Sequence, residues 1–398
     1  MLDREEVLIE RVANGGPVAH AADGRAVFVR HAMPGERVRI EFTEERAKFL
    51  RGDAVDVVSA SEHRVKAPCP YAHADGCGGC DLQHVAAEYQ PEWKATLIAE
   101  QLRRVAHLEY EVTVQSVGDS LLGTRTRLRC AVDDMGHLAM RKSRSNELQS
   151  IAGCVVANPA FTEGFISTWD GAEEVEMRLI GDGPGFAVVT FEDGTQVTSD
   201  FDGLIDEEPR RSSVLVGKNR FRVSGNSFWQ SHELAPEILT KAVMKMAKPR
   251  PRETVVDLYA GVGLFTVPLA IAVGPEGHVT AIETSDAACA DARRNVADLP
   301  QVSVVEKTVN RRQIMELVPA DSIVVLDPPR NGAGIEVMKA LAKALPRRIV
   351  YVSCDAATFA RDIAVLRESG YELGALEAFD LFPMTEHVEL VGVLDRRS

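Results

Sequence analysis

The sequence contains no apolar run near the roughly 20 residues that a membrane-spanning helix requires, so no membrane span is expected. Its first residues, MLDREEVLIE, are charged throughout and do not follow the basic-then-apolar order of a secretory signal. The expected location is cytoplasmic. An excess of basic residues is also missing. Lysine plus arginine number 45 against 59 aspartate plus glutamate, a formal net charge of −14. That excludes a chain basic overall, such as a histone-like coat for nucleic acid, but not a local basic surface. Cysteine is scarce, at 7 in 398 residues, and the count is odd. A disulfide framework is therefore not expected, and metal binding or catalysis is the first use to consider for the thiols. There is no internal repeat and no low-complexity segment. What remains is the ordinary balance of a folded protein, 45% hydrophobic and 26% charged, with length for two or three domains.

Residues 1–61 read as short strands. Val7-Leu8-Ile9, Ala26-Val27-Phe28-Val29, Val38 to Phe42 and Ala54 to Val58 are rich in β-branched residues, and Gly15-Gly16, Asp23-Gly24, Pro34-Gly35 and Gly52-Asp53 separate them. This pattern predicts a small barrel, either of the oligonucleotide-binding type or with a packing role only. Residues 62–225 form a second region, β-rich beyond a segment dense in Cys, His and Gly, APCPYAHADGCGGCDLQH. A helix is predicted over 85–107, with Trp93, Leu97, Ile98, Gln101 and Leu102 at helical spacing; it is a candidate to pack on the domain that follows. In TRTRLRC the period of two puts Arg125, Arg127 and Arg129 on one strand face. Residues 118–150 hold six basic and four acidic side chains, a local +2. That face is either a solvated strand or a surface for a polyanion. Acidic stretches at Asp200-Phe201-Asp202 and Asp206-Glu207-Glu208 are expected in loops turned away from it.

Residues 226–398 alternate strand and helix. Strands are expected at 254–259, 278–283, 302–306, 322–327, 348–353 and 387–394, with helices between them, notably 285–299 and 335–345. The fold class is an α/β, Rossmann-like, doubly wound parallel sheet, in which ligands bind beyond the carboxyl ends of the strands. The first strand ends in DLYAGVG, where Gly261 and Gly263 allow a tight turn and close approach of a ligand to the backbone. Glu283 ends the second strand, placed to hold ribose hydroxyls. The pattern fits a dinucleotide, S-adenosylmethionine, or a turn with no ligand. Thr266 stands where a dinucleotide site wants a third glycine, which favours S-adenosylmethionine.

Asp327 ends the fourth strand, in LDPPRNG, a sequence similar to the fourth motif of methyltransferases that act on bases. Arg330 follows the two prolines where amine methylases place an aromatic residue, which argues against amine methylation. Cys354 ends the fifth strand, and Glu389 lies in the apolar run HVELVGVL. Alone, Cys354 reads as a small buried hydrophobe and Glu389 as a surface residue on an alternate face. Together in one crevice they suggest one chemistry. A thiolate that adds to carbon 6 of uracil places negative charge at carbon 5, which then takes a methyl group; a base removes the carbon 5 proton and the thiolate leaves.

In order and spacing, DLYAGVG, LDPPRNG, YVSCDAATFARD, FPMTEHVE and, upstream, SGNSFWQSH resemble the RNA 5-methyluridine methyltransferases. PGERVRIEF and SEHRVKAPCPY resemble the TRAM barrel that many members carry. The resemblance implies Cys354 as nucleophile and Glu389 as proton acceptor. It implies Gln230, Tyr259, Glu283 and Asp327 as contacts to S-adenosylmethionine, beside Gly261 and Gly263. The chain departs from the family at Ala260 and Leu264, where Cys and often Asn stand. For the remaining thiols two sets compete. Cys69, Cys77, Cys80 and His84 have spacing for a structural zinc. With Cys154 as the fourth ligand, the resemblance implies a [4Fe–4S] cluster instead. Cys130 and Cys289 are read as packing residues. The resemblance further implies a monomer acting on RNA, with large-subunit rRNA of the 23S type ahead of tRNA. The rivals are an NAD-dependent oxidoreductase and a non-catalytic RNA-binding metal protein.

Overall fold

The computed structural model describes residues 4–206 and 210–397. Glu207 and Glu208 of the second acidic stretch therefore lie outside the described residues. Six strands from Arg4–Leu8 to Phe49–Ser59 form the N-terminal sheet around Val7, Ile9, Val27, Val29, Val38, Ile40 and Leu50. Three register shifts along the pair Arg37–Glu45 and Phe49–Ser59 bend the long strands, as bulges do. The middle region carries a second six-stranded sheet, in the spatial order Leu148–Ser150, Leu138–Arg141, Arg127–Val132, Ala172–Arg178, Phe186–Phe191, Gln196–Ser199. A separate hairpin, Arg211–Val216 with Asn219–Ser224, leads to the C-terminal domain.

The C-terminal sheet has eight strands. In spatial order they are Val302–Glu306, His278–Glu283, Thr254–Leu258, Ile323–Leu326, Arg348–Ser353, Glu389–Arg396, Tyr371–Asp380 and Val114–Ser116. The first five are parallel. Their runs VVDL, IVVL and RIVYVS are apolar almost without interruption because both faces are covered. One face packs against helices Ala235–Ala247, Thr266–Val273 and Asp286–Asn295, and the other against Gln90–Val105, Arg311–Leu317, Ile335–Ala344 and Ala356–Glu368.

The doubly wound sheet expected from the sequence is present, with one strand antiparallel to its neighbours. Glu389–Arg396 runs antiparallel to Arg348–Ser353, and it forms a hairpin with Tyr371–Asp380. The physical consequence is positional. An antiparallel strand brings its amino end, not its carboxyl end, to the rim where the parallel strands finish. Glu389, the first residue of its strand, thus lies at the rim. Among the described residues, no helix is long and apolar enough to cross a membrane.

Candidate active site and cysteine cavity

The strand order reverses between Thr254–Leu258 and Ile323–Leu326, which opens a crevice beyond their carboxyl ends. Each sequence-predicted residue of the C-terminal domain arrives there from its own strand end. The backbone turns sharply after Leu258. Tyr259 adopts a left-handed φ of 60°, followed by Gly261 at 54° and Gly263 at 91°. A Cβ added at Gly261 would meet nothing within 4 Å, so the loop presents bare backbone to open space. Glu283 holds the loop in place. Its carboxylate accepts the Gly261 N–H at 2.9 Å and the N–H groups of Thr284 and Ser285 at 2.8 Å. Leu264 is buried in the core, so this departure from the family pattern is a packing residue here.

Asp257, on the strand below the loop, is completely buried. One carboxyl oxygen accepts the Thr266 hydroxyl at 2.6 Å, while Oδ1 has no partner. Burial, with Glu283 adding to it, raises the carboxyl to about 7. Asp327 shares this condition: burial, then the charge of Asp257, raises it to about 7. The Gln230 amide reaches Asp327 from the neighbouring segment at a long 3.5 Å. Two residues earlier, Phe228 stands exposed under the Arg127 guanidinium, 5.1 Å from its ring centre.

Cys354 and Glu389 are neighbours at the rim. Ser353 pairs with Leu390 as the last pair of their antiparallel ladder, Cys354 directly follows Ser353, and Glu389 directly precedes Leu390. Glu389 is buried, not a surface residue on an alternate face. Burial first, then Asp327, raises its carboxyl well above the usual range, against the opposing charge of Arg330. Burial pushes the Cys354 thiol up to about 12, and Glu389 and Asp327 add to it. Cys354 also precedes helix Ala356–Glu368, whose amino end Asp355 caps through the Thr358 N–H at 2.8 Å. Burial thus disfavours charge on both the thiol and the acid, and Arg330 is the positive group that works against it.

Sequence reasoning missed two residues that join the hairpin to this crevice. Asp291 accepts the Ser224 N–H and the hydroxyls of Ser224 and Ser227. Asn295 bonds Arg222 through both its N–H and its carbonyl, and donates to the Val262 carbonyl inside the glycine loop at 2.9 Å. Both lie on helix Asp286–Asn295 at i, i+4, a face that composition does not distinguish from a solvated one.

Cys69, Cys77, Cys80 and Cys154 line one cavity, with Tyr71, Gln83 and Arg125. Burial raises the first three thiols, and Cys154 adds to each shift, so the sulfurs feel one another. The glycines of CGGC serve close approach: a Cβ at Gly78 would fall 2.7 Å from the Ser143 nitrogen. His84 lies elsewhere. It is buried, with its ring Nε2 at 3.2 Å from the Ala32 carbonyl, and it does not line the cysteine cavity. That removes it from the zinc set. Among the described residues, no group of three or more His, Cys, Asp or Glu side chains is arranged to hold a metal ion. That holds for the four cysteines as it does for the set with His84. Cys130 and Cys289 are buried, as packing residues are.

The arginine face also changes. Arg127, Arg129 and Arg178 all bond Glu176, and Arg129 pairs with Glu174 as well. Burial would raise the Glu176 carboxyl, but Arg127 and Arg178 outweigh it and hold it at about 2. Arg127 is thus tied up within the sheet, while Arg129, though paired with Glu174 and Glu176, stays exposed. Arg125 points to the cysteine cavity.

A family model described as tRNA (Uracil-5-)-methyltransferase matches residues 306–398, which include Asp327, Cys354 and Glu389. A model described as TRAM domain matches residues 3–55. A Streptomyces avermitilis protein described as an uncharacterized RNA methyltransferase is 39% identical, over 99% of both chains. One from Streptomyces coelicolor with the same description is 37% identical, over 98% of this chain and 92% of its own. In three dimensions the chain is similar to the Pyrococcus abyssi tRNA (uracil-54, C5)-methyltransferase, solved in complex with S-adenosyl-L-homocysteine. The TM-score is 0.70 at 24% identity, over 98% of this chain and 99% of that one.

Proposed function

The chain belongs to the RNA methyltransferases of the uracil-5 family that carry an N-terminal TRAM domain, and from that premise we propose that it methylates carbon 5 of a uridine through a covalent Cys354 adduct. The observation that carries the proposal is that Cys354 and Glu389 flank the last strand pair, Ser353–Leu390, at the crevice rim. Residues around the crevice fit S-adenosylmethionine. Gly261 offers open backbone, Glu283 stands beside it, and Asp257 and Asp327 are carboxyls raised by burial and then by a neighbouring acid. S-adenosylmethionine, when bound, supplies an electrophilic methyl group and a positive sulfonium, which favours the ionised form of neighbouring acids.

The protein's own groups divide the work. Cys354 releases its proton to solvent and adds its sulfur as thiolate to carbon 6 of the flipped uracil. The displaced π electron pair places charge at carbon 5, which takes the methyl group and leaves S-adenosylhomocysteine. Glu389 as carboxylate then accepts the carbon 5 proton, the carbon 5–carbon 6 double bond re-forms, and the sulfur leaves. Four thiols around one cavity support Cys69, Cys77, Cys80 and Cys154 as ligands of an iron–sulfur cluster. In that place a cluster would anchor the loop to the middle sheet. The combination of TRAM domain and cysteine cavity, in the family resembled, favours large-subunit rRNA over tRNA, and the chain acts as a cytoplasmic monomer.

The test is to map 5-methyluridine by mass spectrometry in rRNA and tRNA from cells with and without the gene. Loss of a single 5-methyluridine from large-subunit rRNA is expected. Loss from tRNA alone overturns the choice of RNA, and no loss of 5-methyluridine in either overturns the activity. Anaerobic purification should yield iron and sulfide; stoichiometric zinc without iron overturns the cluster.

A further inference from the structure

Glu389 is delivered by the loop 381–388, whose shape is imposed from outside. Met384, at its centre, has a left-handed φ of 65°, a conformation that an unbranched L-residue adopts only under constraint. Both of its backbone polar groups are held by residues almost three hundred positions earlier. The side-chain amide oxygen of Gln90, Oε1, accepts the Met384 N–H at 3.0 Å. The Met384 carbonyl accepts the N–H groups of Asp81 and Leu82 at 3.0 and 2.9 Å. Gln90 also donates to the carbonyls of Leu82 and Val85, so it grips both sides of the junction.

One helical turn on, Lys94 donates to Asp380 at 2.5 Å and to the Phe382 carbonyl at 2.9 Å. Gln90, Lys94 and Asp380 are all 0–1% exposed. A buried lysine–aspartate pair carries a desolvation cost that its attraction barely offsets, so stability alone does not account for it. Its two hydrogen bonds mark the two ends of one short span, the last residue of strand Tyr371–Asp380 and the start of the loop to Glu389.

We propose that Gln90 and Lys94 are positioning residues for the proton-abstraction step, holding the loop 381–388 so that Glu389 stays beside Cys354. The proposal rests on the reading of Glu389 as proton acceptor. It also gives the middle segment a part in the chemistry, because Asp81 and Leu82 directly follow Cys80. Neither Gln90 nor Lys94 touches the glycine loop, Glu283 or Asp327 among the described contacts. Cofactor binding and methyl transfer are therefore left intact, while resolution of the adduct is slowed.

The test compares Gln90→Met, the double variant Lys94→Met/Asp380→Asn, and Glu389→Gln. Each is given S-adenosylmethionine and an unmodified transcript bearing the target uridine. Both clamp variants should bind S-adenosylhomocysteine and transcript as the parent does. Their kcat should fall about 10²-fold, as for an ångström-scale misplacement, with KM changed less than two-fold. They should accumulate the denaturation-resistant protein–RNA adduct that Glu389→Gln accumulates. If turnover falls without adduct in both variants, or only in step with thermal stability, the clamp is structural and the proposal is overturned. Should either variant fold poorly, the other decides. Free turnover by Glu389→Gln removes the reading beneath the clamp, and the clamp with it. Adduct in Glu389→Gln but not in the clamp variants overturns the clamp alone.

Discussion

Cys354 and Glu389 are neighbours at the crevice rim because the strands that end beside them run antiparallel, with Ser353 paired to Leu390. This register makes a thiol and an acid neighbours across 35 residues of chain, the difference between 389 and 354. It separates their roles in a measurable way. With 5-fluorouridine transcript and S-adenosylmethionine, the parent should form a stable adduct, since carbon 5 then holds no removable proton. Cys354→Ala should form none and lose turnover completely. Gel retardation under denaturing conditions reads both, and an adduct in Cys354→Ala would assign the nucleophile elsewhere.

Asp257 predicts a dependence of stability on pH. Its carboxyl is raised from 3.8 to about 7 by burial. Between these values the folded state keeps a proton that the unfolded state releases, so stability falls as pH rises through the window. One such group contributes roughly 1.4 kcal/mol per pH unit. Asp257→Asn should flatten the slope by about that amount in urea unfolding of the cofactor-free protein between pH 4.5 and pH 6.5, values chosen as roughly inside the window. An unchanged slope would mean that Asp257 is ionised in the fold.

Asn295→Ala tests the tie between hairpin and glycine loop. It leaves the Val262 and Arg222 carbonyls without their donor. The Val262 bond is only part-buried and the Arg222 bonds are exposed, so their loss costs about 0.5–1.5 kcal/mol. S-adenosylhomocysteine affinity, read by calorimetry, should weaken by up to about ten-fold, while transcript binding holds. Equal weakening of both would make Asn295 a general stability residue.

Gly78→Ala tests the cysteine loop. The added Cβ meets backbone at 2.7 and 2.9 Å in Ser143, which cannot swing aside. The strain costs about 1–3 kcal/mol, and iron and sulfide per chain should drop. Gly153→Ala is the control, since nothing lies within 4 Å of its Cβ. Equal metal content in the two variants would show that Gly78 is not needed for the loop to close.

Much of this was legible from residue order alone. Apolar runs ending in DLYAGVG, LDPPRNG and YVSC announced buried strands with chemistry at their ends, because periodicity and strand-end glycines are local properties. The cysteine cavity was foreshadowed by a stretch unable to build its own core. Pairing direction was not, since a hairpin inserted between two strands leaves no local mark. Its consequence was large: the antiparallel last strand turns Glu389 from an acid within an apolar run into the neighbour of Cys354. Nor could order reveal that Glu176 pairs with Arg127 and Arg129, or that His84 lies away from the cysteines, because both facts depend on which sheet or sheath each side chain meets.

By itself, then, the sequence determined the strand ends, the turn glycines and the kinds of group that reach the crevice, all set by backbone sterics and side-chain chemistry within a few residues. Only the tertiary structure decided which groups face one another and how they ionise. Proximity across hundreds of residues, as between Gln90 and Met384, and the loss of water around Asp257, Asp327 and Glu389 are properties of packing.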